Sequence, residues 1–259
     1  MVKSSRWFLS TVCLIIVLLI SCSGDETFLG TSDSAEGRAY QAIIDNITTL
    51  NEAASATHPY LVSQKDSSWF DPNNYFSVLT HLHPEGSTIL DYVYYYDGDG
   101  RPFMYSRPDS VEPIGSYDEY VLYVTSAPEN SPYCYYLDRV EAEDCDAGYF
   151  EAVLLRLLGG QFYLAWHNLY NDTRVVCSRA ALEAIVDKYD FGSYERQALE
   201  IEPHVGFRYD ADYAYVSLVT FTKWGGLYRR EYRVSRTLPL EVSQFNSICL
   251  AHYDCGYVY

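Results

Sequence analysis

The sequence predicts an α+β fold, with a largely antiparallel sheet built from hairpins and a few packed helices. Three observations lead to this class: apolar residues recur at helical spacing in separate stretches, aromatic and β-branched residues form strand-like runs, and short turn sequences join those runs in pairs. Tyrosine, which favours strands, occurs 27 times in 259 residues. Hairpins with separately placed helices are typical of α+β rather than alternating α/β architecture.

The first half of the chain predicts one helix and three strands. Residues 36–55 carry apolar side chains at helical spacing, which indicates an amphipathic helix with one face packed on the body. The aromatic runs 89–97 and 101–107 form a hairpin, because the glycine and aspartate at 98–99 suit a tight turn. A third aromatic run at 117–125 predicts another strand.

The second half of the chain predicts two helices and two hairpins. A short helix at 149–158 ends at a pair of glycines. Another begins after Ser178, whose side chain suits an N-cap, and places Leu182, Ile185 and Val186 on one face. The hairpins pair the runs 161–169 with 173–177 and 211–222 with 227–236.

The N-terminus has the layout of a secretory signal peptide. Lys3 and Arg6 make its beginning positive, residues 7–20 form an apolar run, and the small Ser21 stands just before Cys22. The apolar run is shorter than the roughly 20 residues that a helix needs to span a bilayer. We therefore expect residues 1–21 to be a signal peptide.

The residues Leu19, Ile20, Ser21 and Cys22 resemble the lipobox of bacterial lipoproteins. The resemblance covers only the first two dozen residues. It implies cleavage before Cys22, attachment of a diacylglycerol to its sulfur, and a mature chain anchored to a bilayer of the bacterial cell envelope. Ser23 stands where an inner-membrane retention signal typically has aspartate, so the resemblance favours the outer membrane. If the signal is cut elsewhere, Cys22 is instead an ordinary secreted thiol.

The mature chain divides into a tether and one domain. Residues 22–37 are rich in serine, glycine, threonine and acidic residues, which indicates a flexible tether. The remaining residues 38–259 are enough for a single α+β domain.

The acidic charge of the mature chain limits the classes of molecule that it can bind. Cleavage removes Lys3 and Arg6 from the 18 basic side chains and none of the 35 acidic ones, so the mature chain has a formal charge of −19. Nucleic-acid binding depends on cationic contacts to phosphate, so we expect no nucleic-acid partner. The same charge disfavours docking on anionic lipid head groups and leaves membrane attachment to the acylated cysteine.

Five cysteines follow Cys22, and an exported chain meets an oxidising compartment in which cysteines tend to pair. Cys134 and Cys145 bracket an acidic loop, and Cys249 and Cys255 bracket a short turn, so we predict these two disulfides. Cys177 remains as a thiol on the apolar face of its strand. The alternative is that all five cysteines are reduced.

A row of tyrosines is the candidate binding surface. Tyr92, Tyr94 and Tyr96 lie on one face of their strand, where they can stack on sugar rings or contact the apolar surface of a partner. The alternative is ordinary packing within the sheet.

The histidines complete no metal site in the sequence. His81 and His83 alternate, so both rings can face one ion, but no third ligand stands at a suitable spacing. His167, Asp172 and Cys177 occur together, but on the predicted strands the thiol and the imidazole point to opposite faces. The sequence therefore predicts no metal and no cofactor.

The sequence contains none of the common hydrolase or nucleotide-binding motifs, so it leaves the question of an enzyme open. The leading hypothesis is a non-catalytic binding or accessory module that contacts envelope proteins or glycans. An envelope hydrolase would need a site assembled by the fold, either two carboxylates in a pocket or His81 and His83 with a third ligand. A structural tether of an envelope complex would show a large apolar patch and no concave pocket.

Overall fold

The computed structural model describes residues 34–57, 70–97, 99–126, 131–165 and 172–256. The predicted signal peptide, Cys22 and the tether as far as residue 33 lie outside the described residues. Helix α1 begins at Ala35, inside the range 22–37 predicted as a tether, and Ser34 Oγ accepts the N–H of Gly37 at 3.0 Å as its N-cap.

The α+β class is confirmed. The described residues form α1 (Ala35–Thr57), α2 (Tyr117–Tyr120), α3 (Asp146–Leu158), α4 (Arg179–Lys188) and α5 (Glu195–Leu199), with short 3₁₀ helices at Pro72–Ser77 and Gly192–Tyr194 and a π-helical turn at Val121–Ser126. The strands are β1 (Leu82–Pro84), β2 (Thr88–Asp97), β3 (Asp99–Pro108), β4 (Cys134–Tyr135), β5 (Val140–Ala142), β6 (Arg174–Val176), β7 (Gly206–Tyr209), β8 (Tyr213–Thr222), β9 (Gly226–Ser235) and β10 (Val242–His252).

Within the described ranges the strands pair in three sheets, and every pairing there is antiparallel. The largest sheet has the order β10-β9-β8-β6, and β7 also pairs with β8. A three-stranded sheet has the order β2-β3-β4, and β1 pairs with β5 alone. Hairpins therefore build most of the sheet structure, as the sequence predicts.

Both faces of the largest sheet are covered. Along β8, Ala214, Val216 and Leu218 belong to the main core with α1 and α3, whereas Val219 and Phe221 belong to a second cluster with α4 and α5. Side chains alternate between the faces of a strand, so this division follows from the period of two. The helix α3 runs through the main core, and it is buried from Gly148 to Leu155.

Most local predictions are confirmed. The helix predicted at 36–55 is α1, and the helix predicted at 149–158 is α3, which begins three residues earlier. The two hairpins β2-β3 and β8-β9 form where the turn residues stand. Ser178 caps α4, since its Oγ accepts the N–H of Ala181 at 3.2 Å.

The prediction of a strand at 117–125 is wrong, because α2 and the π-helical turn occupy these residues. Ser116 Oγ accepts the N–H of Glu119 at 3.2 Å, and the Glu119 carboxylate accepts the N–H of Gly115 at 2.9 Å. This reciprocal bonding is close to a capping box, which starts a helix despite the aromatic residues that follow. The signal was present in the sequence as Ser-Tyr-Asp-Glu.

The hairpin predicted from 161–169 and 173–177 is also wrong within the described residues. Residues 174–176 pair with Phe221, Thr220 and Val219 of β8 instead. Of the first run, 161–165 form no strand beyond one bridge between Ala165 and Gly100, and residues 166–169 lie outside the described residues. The true partner of this strand lies some 45 residues further along the chain, and such a distant pairing leaves no local pattern in the sequence. Local pattern therefore predicts pairing with the neighbouring run.

The sequence did not reveal β10, although its pairing with β9 is long. Register shifts fall between Gln244 and Asn246 and between Cys249 and Ala251. Each bulge reverses the alternation of apolar and polar residues, which hides the period of two.

Among the described residues, no helix combines the length and the apolar character that crossing a membrane requires.

Candidate functional site

The strand pair β1-β5 brings the two histidines to a carboxylate. His83 lies opposite Glu141 and Leu82 opposite Ala142, and the same register continues to His81 and Glu143. The backbone N–H of Glu143 donates to the carbonyl oxygen of His81 at 3.0 Å. Because Leu82 is completely buried, the alternation of the strand turns both histidines away from the core.

A buried carboxylate holds His81. Nδ1 of its ring lies 2.8 Å from Oε1 of Glu151, and its backbone N–H donates to Oε2 of the same residue at 2.8 Å. The Glu151 side chain is completely buried in α3. Burial raises the pKa of Glu151, and the hydrogen bonds from His81 act in the opposite direction.

Glu143 and Cys145 join His81 just before α3. Cys145 is the N-cap of α3, and its sulfur accepts the N–H of Gly148 at 3.5 Å. A Cβ on Gly148 would come within 2.2 Å of the backbone oxygen of Glu143, so glycine is needed for the 143–145 segment to fold against the helix. One ligand atom each from His81, Glu143 and Cys145 lies within 4.8 Å of the other two, so these three residues can hold a metal ion. His83 Nε2 is 3.4 Å from Oε1 of Glu143.

Cys145 also lines an open concave surface. Its volume is about 640 Å³, and it is lined by Tyr40, Asp144, Cys145, Asp146, Ala147, Tyr209 and Arg236. Arg236 Nη2 donates to both oxygens of Asp144, at 3.0 and 2.8 Å, and holds the pKa of that carboxyl below its usual range. The Tyr209 hydroxyl donates to Oδ1 of Asp146. Burial and Asp146 raise the pKa of Tyr209, so its phenol stays a hydrogen-bond donor at neutral pH.

The tyrosine row does not form a binding surface. Tyr92 and Tyr94 are 0% and 2% exposed, and both rings belong to the main core, where they pack against Tyr163. Tyr96 is partly buried against the same core. Ordinary sheet packing, the alternative from the sequence, therefore describes this face of β2, because a completely buried ring offers no surface to a ligand.

The four cysteines predicted to pair carry free thiols in this structure, and the two disulfides stay predictions. Cys134 lies on β4, with its sulfur 3.1 Å from Oγ of Ser106, whereas Cys145 caps α3. Cys249 is exposed on β10, and Cys255 is partly buried beyond the end of that strand.

The possible thiol hydrolase of the sequence does not assemble. Cys177 is completely buried, and burial raises the pKa of its thiol far above the ordinary value. Asp172 accepts hydrogen bonds from Thr222 Oγ1 and from the backbone N–H of Lys223, so it stabilises the β8-β9 turn. His167 lies outside the described residues.

Sequence reasoning missed most of the residues that meet here. The sequence predicts a disulfide for Cys145, shows Glu143 only as part of the acidic loop before it, and shows Glu151 only as one position of a helix. Tyr209 and Arg236 come from strands far along the chain. The one available signal was a histidine pair followed some 60 residues later by Glu-Asp-Cys-Asp before a helix, and no local pattern connects the two.

Comparison of the chain with protein-family models, with curated proteins and with solved structures finds no match in any of the three.

Proposed function

We propose that this chain is a lipoprotein of the bacterial cell envelope, anchored through acylated Cys22, whose folded domain is a non-catalytic module that binds glycans. The observation that carries the proposal is the open concave surface that includes Tyr209, Asp146 and Arg236. Its polar and aromatic lining favours a hydroxyl-rich ligand rather than a large apolar partner surface.

The lining suits the hydroxyl groups and ring faces of a sugar. Tyr209 is 44% exposed, so part of its ring is open to a ligand. Asp144 and Asp146 supply carboxylate acceptors, and Arg236 supplies guanidinium donors. A sugar ring offers both apolar C–H faces and hydroxyls that donate and accept, and this surface combines partners for each.

The structural tether is less well supported. Large apolar side chains exposed in the described residues are spread over several elements, among them Leu122 beside α2, Leu238 before β10, and Phe245 and Ile248 on β10. Apolar residues exposed singly are normal on monomeric proteins. A structural tether of an envelope complex is also expected to have no concave surface of this kind.

Binding of a panel of envelope oligosaccharides, measured by calorimetry on the purified mature chain, tests the glycan proposal. We expect Tyr209→Ala to weaken binding about twofold to tenfold, equivalent to a lost ring contact of about 0.5–1.5 kcal/mol. Tyr194 is the matched control, because it has the same exposed fraction, 44%, and lies on the 3₁₀ helix before α5. Absence of binding to every oligosaccharide, or equal weakening by Tyr194→Ala, would refute the proposal.

The anchor has its own test. We expect Cys22→Ser to yield a soluble or unprocessed form, since the sulfur that receives the lipid is gone. Membrane fractionation followed by mass measurement of the N-terminal peptide reads out the result. Unchanged retention of the variant in the membrane would refute the lipoprotein assignment.

An envelope hydrolase is the second candidate, and one observation favours it. In the fold, Glu143 and Cys145 lie close enough to His81 to make a set of three possible metal ligands, which their positions in the sequence do not indicate. Three protein ligands that leave one coordination position open are typical of hydrolytic zinc sites. Release of product from a bound oligosaccharide by the wild type, lost in Cys145→Ser, would replace the non-catalytic assignment with this one.

A further inference from the structure

We propose that His81, Glu143 and Cys145 bind one transition-metal ion of the zinc class, with water in the fourth coordination position. The site stands independently of glycan binding, because its three ligands come from the β1-β5 pair and the N-cap of α3. Only Cys145 also belongs to the concave surface.

The chemistry of the donors selects the metal. An imidazole nitrogen, a thiolate sulfur and a carboxylate oxygen form the mixed set that zinc accepts in tetrahedral sites. Magnesium and calcium require oxygen ligands throughout, and a thiolate excludes them. Copper(I) prefers soft thiolate and thioether ligands, of which this site has one.

The spacing requires only a small adjustment. Ligand atoms around one tetrahedral zinc lie about 3.5 Å apart, given metal–ligand bonds of about 2.0–2.3 Å. The three ligand atoms already lie within 4.8 Å of one another without an ion. The side chain of Glu143 is 51% exposed, so it can move to shorten its distances to the ligand atoms of His81 and Cys145.

Glu151 is the independent observation that distinguishes this cluster from a chance grouping of surface side chains. Its buried carboxylate holds both the backbone and the ring of His81. When Nδ1 carries the proton shared with Glu151, the lone pair of Nε2 is left for a metal. Metal-binding histidines commonly donate their second ring nitrogen to a carboxylate, which sets the tautomer and the direction of the ring.

The other neighbours of the cluster agree with a metal-bound thiolate. Cys145 lies at the N-terminus of a 13-residue helix, where the helix dipole stabilises negative charge. His83 Nε2 lies 3.4 Å from Oε1 of Glu143, at the exposed edge of the cluster.

The proposal competes directly with the predicted disulfide between Cys134 and Cys145, because a cysteine in a disulfide supplies no thiolate. Peptide mapping of the native protein, isolated without reductant, decides between them. We expect Cys145 to be recovered as a free thiol. Recovery of a peptide in which Cys145 is joined to Cys134 would overturn the proposal.

Titration of the full mature chain in detergent with Zn²⁺ and Co²⁺ tests the site itself. We expect one ion per chain by elemental analysis, and a thiolate-to-cobalt charge-transfer absorption in the Co²⁺ form. Cys145→Ser keeps a hydroxyl that can cap α3 but removes that absorption, and it lowers zinc affinity by at least about 100-fold, beyond the 10- to 100-fold range of changes around a ligand. Glu143→Gln is expected to lower affinity while it retains the absorption.

Two further variants complete the design. Cys249→Ser is the matched control, since that cysteine is exposed on β10 and should leave both readouts unchanged. Glu151→Gln should lower zinc affinity about 10- to 100-fold yet retain the thiolate absorption, as expected of a positioning residue. A metal content well below one ion per chain, or equal zinc affinity in Cys145→Ser and the wild type, would overturn the proposal.

Discussion

Nδ1 of His81 lies 2.8 Å from Oε1 of Glu151, and the other oxygen of that carboxylate accepts the backbone N–H of His81 at 2.8 Å. The two residues are 70 positions apart in the chain, so one side chain joins the start of β1 to the middle of α3. Because Glu151 is completely buried, water cannot replace His81 as the partner of its carboxylate.

The carboxylate should therefore contribute to stability. We expect Glu151→Ala to lower the free energy of unfolding by about 1–3 kcal/mol, because it removes two hydrogen bonds that each contribute about 0.5–1.5 kcal/mol. Urea denaturation of the metal-free chain measures the change. Glu141→Ala is the control, because Glu141 is exposed on β5 and its loss should change stability by less than about 0.5 kcal/mol. Equal losses in the two variants would contradict the expectation.

A second buried network joins α1 to the end of α3. The Tyr75 hydroxyl lies 2.6 Å from Oδ1 of Asn51 and 2.8 Å from the oxygen of Gly159, and Asn51 Nδ2 donates to Leu158 O at 2.8 Å. We expect Tyr75→Phe and Asn51→Ala each to cost about 1–3 kcal/mol. The double variant should lose less than the sum, by about 0.5–3 kcal/mol, because the residues share one network. Full additivity in denaturant titrations would show that the two are independent.

The turn between β8 and β9 requires glycine at only one of its two glycine positions. Gly226 has a φ of +108°, and a Cβ there would come within 2.1 Å of the backbone oxygen of Ala251 on β10. We expect Gly226→Ala to cost at least about 2 kcal/mol, from backbone strain and this collision. At Gly225 the nearest atom is the hydroxyl of the Tyr228 side chain, which can move away. Thermal denaturation should therefore show a smaller loss for Gly225→Ala, and equal losses would contradict the geometry.

The many buried phenols predict a loss of stability in alkali. Burial raises the pKa of Tyr75 and Tyr136 well above the ordinary value, and raises that of Tyr105 to about 12. Unfolded tyrosine ionises near a pH of about 10, so above that pH the folded state holds more protons than the unfolded state. Stability should be fully present below pH 10 or so and fall as the pH rises from there towards the folded pKa values.

Urea midpoints measured across this alkaline range provide the test. Tyr136→Phe removes one buried phenol with a raised pKa, so the stability of this variant should decline less steeply with pH than that of the wild type. Tyr194→Phe, at an exposed position, should leave the slope unchanged. A wild-type midpoint that does not move with pH would contradict the burial of these side chains.

Local chemistry explains which parts of the fold the sequence predicts. The helix α4 is predicted because Ser178 marks its start and Leu182, Ile185 and Val186 repeat at helical spacing within ten residues. The β8-β9 hairpin is predicted because its two strands meet at adjacent glycines. At 117–125 the aromatic residues favour a strand, whereas Ser116 and Glu119 before and within this range favour a helix start. The structure follows the capping residues.

Other parts depend on partners that are distant in the chain. The pairing of β6 with β8 and of β10 with β9 depends on which strands lie side by side in the folded sheet. In β10 the bulges also interrupt the alternation of apolar and polar residues by which a strand is predicted. The tyrosine row of β2 shows the same limit. Its spacing places Tyr92 and Tyr94 on one face, but whether that face meets water or the ring of Tyr163 depends on the packing of the whole domain.

From the sequence alone follow the α+β class, the helices and hairpins with local signals, the acidic balance that disfavours nucleic acid, and the lipobox resemblance on which the anchor proposal rests. The tertiary structure alone decided that His81 meets Glu143, Cys145 and the buried Glu151, and that Tyr209 and Arg236 line the surface beside them. The physical reason is range. Periodicity and capping act over a few residues, whereas a site forms where burial of the core brings together side chains that are 60 or more positions apart.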